Sequence, residues 1–202
     1  MAQPIRQIIE ALGDSPYEKH SFAVLTFTDE LSGKEIDRCT FVDCNFIEAN
    51  LTGCRFDACS FTSCNLSNPK VDNARFIDVE FANCKILGIS FYKCSQSVFD
   101  FKFNECRLIS CNFTDVNMKR CKFTKCDIVE CYFQNTFLVE ADFSESTFSQ
   151  TLFHNSNLQK ASFHNAYGYS LDPRSNNVKK AVFSVPEVLS LLDGFEIVIK
   201  SD

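Results

Sequence analysis

Cys39-Thr40-Phe41-Val42-Asp43-Cys44-Asn45-Phe46-Ile47-Glu48-Ala49-Asn50-Leu51 repeats a single pattern every five residues. Each unit runs from a small residue to a polar one, then to a large apolar one, the centre, and then to two variable positions. The centres before residue 92 are Ile36, Phe41, Phe46, Leu51, Phe56, Phe61, Leu66, Val71, Phe76, Phe81, Ile86 and Phe91. After a slip of two residues they resume as Val98, Phe103, Leu108, Phe113, Met118, Phe123, Ile128, Phe133, Leu138, Phe143, Phe148, Phe153, Leu158 and Phe163. Most of the chain's 22 Phe are centres. All 12 Cys stand two residues before a centre, counting the one expected at Gln96, where the pattern fails.

A period of five fits neither the 3.6 of a helix nor the 2 of a strand. A short strict period points to a solenoid in which each unit forms one side of a coil. With four units to a coil, residues 20 apart stack at about 4.8 Å, and some six coils make a rod of roughly 30 Å. The centre and the small residue two before it then point inward. Burial of each centre contributes roughly 1.5–3 kcal/mol. Ordering the backbone costs about 1–2 kcal/mol per residue, so coils must share hydrogen bonds.

Three segments emerge. Residues 1–35 hold a short amphipathic helix over 4–12, with Ile5, Ile8, Ile9 and Leu12 on one face and Gly13 as its stop. Phe22 and Phe27 suggest an early, imperfect coil. Residues 36–163 are the repeat, with the slip at 92–98 reading as a defect that joins two rods through a bulge or small loop. Residues 164–202 read as a linker broken by Pro173, a helix opened by the capping box Ser184-Val185-Pro186-Glu187 and stopped by Gly194, and a strand over 195–199. A solenoid end exposes an apolar section and open strand edges. Val188, Leu189, Leu192, Phe195, Ile197 and Ile199 are expected either to cap that end or to join two copies end to end as a symmetric dimer.

The motif of small residue, polar residue and Leu or Phe resembles that of the pentapeptide-repeat proteins. Their fold is an all-β, right-handed quadrilateral β-helix. Cys64-Asn65-Leu66-Ser67, Pro69, Ala74-Arg75-Phe76-Ile77-Asp78-Val79-Glu80-Phe81 and Cys84-Lys85-Ile86-Leu87-Gly88 are similar to the Qnr-type branch. So is Asn176-Asn177-Val178-Lys179-Lys180-Ala181-Val182-Phe183-Ser184-Val185-Pro186-Glu187. That branch protects DNA gyrase, and the small slip, where relatives often carry larger loops, fits its albicidin-resistance kind best. The resemblance implies a homodimer joined through the C-terminal region that binds a type II topoisomerase as a DNA mimic, without chemistry of its own.

The chain carries a net charge of −6, of which the repeat holds about −2. A mildly acidic, mixed repeat argues against simple electrostatic binding of nucleic acid, which needs a basic footprint. No run reaches the roughly 18 apolar residues of a membrane span, and no signal peptide is read at Met1–Arg6, so a reducing, cytoplasmic setting is expected. The cysteine spacings lack the Cys-x-x-Cys of zinc or redox sites, and the thiols read as small buried apolar groups, with no metal or cofactor. His20, His154 and His164 read as surface residues, and paired carboxylates on a convex rod do not suit general acid–base work, so no enzyme is expected.

Function must then lie on the outward positions. Assigning units to four sides in rotation gathers Asp43, Glu80, Glu105, Asp142 and Glu145 on one side, against Lys102, Lys122 and Lys125. This is the candidate acidic partner-binding face. Another side receives Arg38, Arg55, Arg75, Lys119, Arg120 and Lys160, against Glu35, Asp37, Asp57, Asp78 and Glu140. A continuous acidic stripe favours mimicry of DNA phosphates. A patchwork favours a rigid interaction scaffold for a different protein partner.

Overall fold

The structure, a computed structural model, describes residues 16–95, 99–195 and 197–200. The helix expected over 4–12 and the positions Gln96 and Val98 lie outside the described residues. The repeat folds into a right-handed, four-sided β-helix of about eight turns. Its strands, mostly three residues long, pair in parallel with the coils before and after them.

The four sides can be numbered from Ile36. The first side is centred on Ile36, Phe56 and Phe76. The second is centred on Phe41, Phe61, Phe81, Phe103 and Phe123. The third runs through Leu66, Ile86, Leu108, Ile128 and Phe148. The fourth includes Phe133 and Phe153. Each described centre is buried.

Rings stack within a side and mesh between sides. On the second side Phe103, Phe123, Phe143 and Phe163 stack at 4.9, 4.9 and 5.0 Å between centroids. On the fourth, Phe113, Phe133 and Phe153 stack at 4.8 and 4.9 Å. The two columns interleave edge to face, as where Phe123 meets Phe133 at 5.8 Å and 88°, an arrangement that the ring quadrupoles favour. The strict preference for Phe follows, because one slot between two rings accepts one shape.

The small position has its own logic. Its side chain lies against the carbonyl of a centre one coil back and, where it carries a thiol or hydroxyl, donates to that oxygen. Cys59 Sγ points to Ile36 O at 3.4 Å and Cys106 Sγ to Phe81 O at 3.4 Å. Thr136 and Thr151 hydroxyls make the same bond to Phe113 O and Ile128 O at 2.9 and 3.1 Å. The slot therefore suits small side chains with a donor, and a thiol satisfies it at little desolvation cost. All twelve cysteines are free and buried.

Corners turn through the second variable position, which adopts a left-handed conformation with φ near +50° to +60°, as at Asp43, Glu105 and Glu145. Such backbone is unfavourable for residues other than Gly. It is held here because each corner N–H bonds to the next coil, as Glu105 N does to Thr124 O at 3.0 Å. The side chain is left pointing to solvent.

Three expectations are corrected. First, the slip does not divide the rod. The ladder keeps its regular spacing up to Ser95, whose N–H bonds to Ala74 O at 2.7 Å. Beyond the slip Phe81 pairs with Phe103 and Ile86 with Leu108, and Ser90 bridges Asn112, so three sides pass through unbroken. The two extra residues are accommodated between Ser95 and Phe101. Phe101 takes a small-residue slot opposite Val79, is fully buried, and packs its ring 5.7 Å from Phe76 and 5.2 Å from Phe91.

Second, residues 164–183 are not a linker but a further coil. Tyr167 bridges Thr147, Ser170 pairs with Leu152, Asn177 bridges Asn157 and Val182 pairs with Ser162. Its side lengths are unequal, which hides it from a count in fives. Leu171 pairs with Phe153 two positions earlier than the period requires, and the turn at 172–175 restores the regular spacing. Gly168 is required there: its φ is +71°, and a Cβ would collide with the Phe148 carbonyl oxygen.

Third, the C-terminal helix is a 3-10 helix, Glu187–Phe195, and residues 197–200 form no strand. The two side chains of the expected capping box reach the preceding coil instead. Ser184 Oγ accepts from Asn165 N–H at 2.9 Å, and Glu187 Oε1 accepts from Gly168 N–H at 2.6 Å. The helix start is thereby fixed to the last coil, with Val178, Phe183 and Leu191 packed on the core.

Candidate interaction surface

The acidic residues of the second side lie in two of its outward columns. One is the residue before each centre, where pairing runs Thr40, Ser60, Glu80, Lys102, Lys122, Asp142, Ser162 and Val182. The other is the corner after it, with Asp43, Ser63, Asn83, Glu105, Lys125, Glu145 and Asn165, all at positive φ. Glu80, Asp142, Asp43, Glu105 and Glu145 therefore share one face. They are not contiguous: Lys102 and Lys122 stand between Glu80 and Asp142, and Lys125 stands between Glu105 and Glu145.

Local pairing modifies these carboxylates further. Lys102 Nζ lies 2.7 Å from Glu80 and 2.9 Å from Asp78, and the two carboxylates raise the pKa of the ammonium. Asp142 accepts from Ser144 N–H at 3.0 Å and from its hydroxyl. Among the described residues, Asp43, Glu105 and Glu145 enter no ion pair within 4 Å. The face is a patchwork in which three corner carboxylates are free to meet a partner.

The C-terminal end is apolar. Leu189, Phe195, Ile197 and Ile199 are exposed, with Val188 and Leu192 half-buried. Val182, Val185 and Val198 add to this surface. The sequence reading did not assign them, although the exposure of Val182 follows once the last coil is recognised, since it precedes the centre Phe183. The tail is tied down by Arg174, which pairs with Asp172 at 2.7 Å and stacks its guanidinium 5.0 Å from the Phe195 ring.

Among the described residues, the first side carries two shallow clefts. One of about 250 Å³ is lined by Glu18, Glu35, Asp37, Arg55 and Asp57, and one of about 290 Å³ by Phe99, Asp100, Asn117, Lys119 and Arg120. Neither involves His154 or His164. His164 Nδ1 lies 3.3 Å from Ser184 Oγ, exposed at the last coil. Among the described residues no group of His, Cys, Asp or Glu has the arrangement of a metal site, and no helix is long and apolar enough to cross a membrane.

The comparisons agree with this geometry. The family model for a pentapeptide repeat region matches residues 34–105, and that for pentapeptide repeats in eight copies matches 102–138 and 138–167. No curated protein sequence matches the chain significantly. Among solved structures, a trypsin-treated form of QnrB1, a plasmid-mediated fluoroquinolone resistance protein, aligns over 91% of this chain and 99% of its own with a TM-score of 0.63 at 18% identity. HetL, a pentapeptide repeat protein involved in heterocyst differentiation regulation from the cyanobacterium Nostoc, aligns over 90% and 93% with a TM-score of 0.32 at 12% identity. With family models covering most of its length and a four-sided solenoid of five-residue units, the chain belongs to the pentapeptide-repeat family.

Proposed function

We propose that this protein is a non-catalytic cytoplasmic rod that docks on a type II topoisomerase, DNA gyrase, and shields it from a poison or toxin. Two copies join through the C-terminal apolar end. The observation that carries this reading is the fold shared along nearly the whole chain with QnrB1, a fluoroquinolone resistance protein. Asp43, Glu105 and Glu145 stand free on one side of the rod, where they can meet a cationic DNA-binding groove as phosphates do.

The patchwork on the second side favours a second reading, a rigid scaffold for a different protein partner. Supercoiling by purified gyrase, with and without a poison, separates the two. Protection or inhibition together with co-purification supports gyrase docking. Absence of all three sinks that reading and leaves the scaffold.

A further inference from the structure

The first side, beyond the slip, has a character that the charge of the whole repeat conceals. Its outward residues come in four successive coils: Asn117, Lys119 and Arg120; Phe137, Val139 and Glu140; Asn157, Gln159 and Lys160; Asn177, Lys179 and Lys180. Bridges join Asn117 to Phe137, Phe137 to Asn157 and Asn157 to Asn177. The corners follow in step, with Arg120 N bonded to Val139 O, Glu140 N to Gln159 O and Lys160 N to Lys179 O. Lys179 and Lys180 join this face only because 164–183 forms a coil.

Five cations here face one carboxylate, in a chain whose net charge is −6. Glu140 is fully engaged, 3.1 Å from Arg120 Nε and 2.9 Å from Lys160 Nζ, and both partners hold its pKa below the usual carboxylate range. Lys119, Lys179 and Lys180 are exposed and have no carboxylate within 4 Å among the described residues. Phe137, 40% exposed, stands in the middle of the face between two asparagines. The cleft lined by Phe99, Asp100, Asn117, Lys119 and Arg120 continues the face toward the slip and adds one carboxylate at its edge.

Unpaired like charges on one face repel, so they do not serve the fold. A row of cations with an interleaved exposed ring matches the chemistry of single-stranded nucleic acid, in which phosphates follow the charges and a base stacks on the aromatic face. The occupied corners span three coil steps, roughly 14 Å at the strand spacing, enough for several consecutive phosphates. The side is flat, with no helix or ribbon to enter a duplex groove. Toward the slip the face is bordered by Asp100, which shares the cleft with Lys119 and Arg120; Asp78 is paired with Lys102, and Asp57 lies about three coils away, beyond the roughly 8 Å screening length at physiological salt. We propose that this half of the first side binds a single-stranded nucleic acid, its phosphates along Lys119, Arg120, Lys160, Lys179 and Lys180 and a base against Phe137. The proposal is independent of gyrase docking.

The test is fluorescence anisotropy of a labelled twelve-nucleotide single strand titrated with the full chain at several salt concentrations. Neutralising three to five phosphates gives a log–log salt slope of about −2 to −3.5. The triple variant K119E/K179E/K180E is expected to weaken binding at least tenfold and Phe137→Ala about tenfold, with far-UV circular dichroism unchanged. Lys85→Glu, on the third side, is expected to leave binding within twofold. Absence of salt-dependent binding, indifference to the triple variant, equal loss with Lys85→Glu, or equal affinity for polyglutamate would each overturn the proposal.

Discussion

Lys102 Nζ stands one coil from Glu80 and holds its carboxylate at 2.7 Å while also reaching Asp78 at 2.9 Å. One lysine thus ties up two carboxylates at the edge of the candidate face and cancels one of their two charges. Exposed pairs of this kind contribute about 0.2–1 kcal/mol. Lys102→Ala is therefore expected to lower stability by no more than about 1 kcal/mol. If the second side is the docking face, the same change improves gyrase protection. Thermal unfolding and a supercoiling assay on the same preparation check both halves, and weaker protection at unchanged stability contradicts the assignment of the face.

Phe101 violates the repeat, standing where Cys or Ala is the rule, and its ring packs against Phe76 and Phe91. Restoring the repeat with Phe101→Cys is expected to destabilise, by about 2–4 kcal/mol, because it empties a volume that the neighbouring rings cannot close. Urea denaturation measures the loss. A neutral or stabilising result would show that the ring is not needed to fill the core beside the slip.

The buried thiols make stability depend on alkaline pH. Burial pushes Cys54, Cys59, Cys94 and Cys121 up to about 12, from an ordinary value of about 9. Between those values the folded chain keeps protons that the unfolded chain releases. This contribution is complete below about pH 9 and is lost as the pH rises toward 12, at about 1.4 kcal/mol per pH unit for each thiol. Unfolding followed by circular dichroism is expected to be flat from pH 7 to 8.5 and to steepen above 9. In the same experiment native thiols stay inert to Ellman's reagent at pH 8 and react on unfolding.

Leu189 and Ile197 are exposed on the apolar end, at 43% and 56%. The double variant L189D/I197D is expected to keep the coil intact, with stability changed by no more than about 0.5 kcal/mol per site, and to turn a dimer into a monomer. Sedimentation velocity decides it. A wild-type chain that sediments as a monomer at micromolar concentration would show that the end is a cap.

Much of the fold could be read from one period. Centres at five-residue spacing and a small residue two before each identify which side chains point inward, because a side chain's direction along a strand is fixed by its position. The same reading failed where the period fails. The last coil keeps its hydrogen bonds but not its spacing: Leu171 meets Phe153 two positions early. A count in fives therefore leaves Lys179 and Lys180 off the side they complete. The slip is visible in the sequence to within a few residues, but its consequence is not, since a rod whose second, third and fourth sides are intact does not part at a fault in the first.

The second side follows the same division. Rotation of the units placed Asp43, Glu80, Glu105, Asp142 and Glu145 on one side, because every fourth unit returns to the same side of the coil. Whether a carboxylate is free depends on its neighbours, most of them one coil away, and on which of these its side chain reaches. Lys102 against Glu80 is such a neighbour, whereas Asp142 is engaged within its own coil by Ser144, two residues on.

By itself, then, the sequence determined the inward half of this protein. Stacking like on like at every fourth unit needs only a local period, and Phe with Cys satisfies it in one way. Tertiary structure decided the outward half. Which charges cancel, which stand free, and where an apolar end is left open depend on contacts between coils, whose energies are set by distance in three dimensions and not by position in the chain.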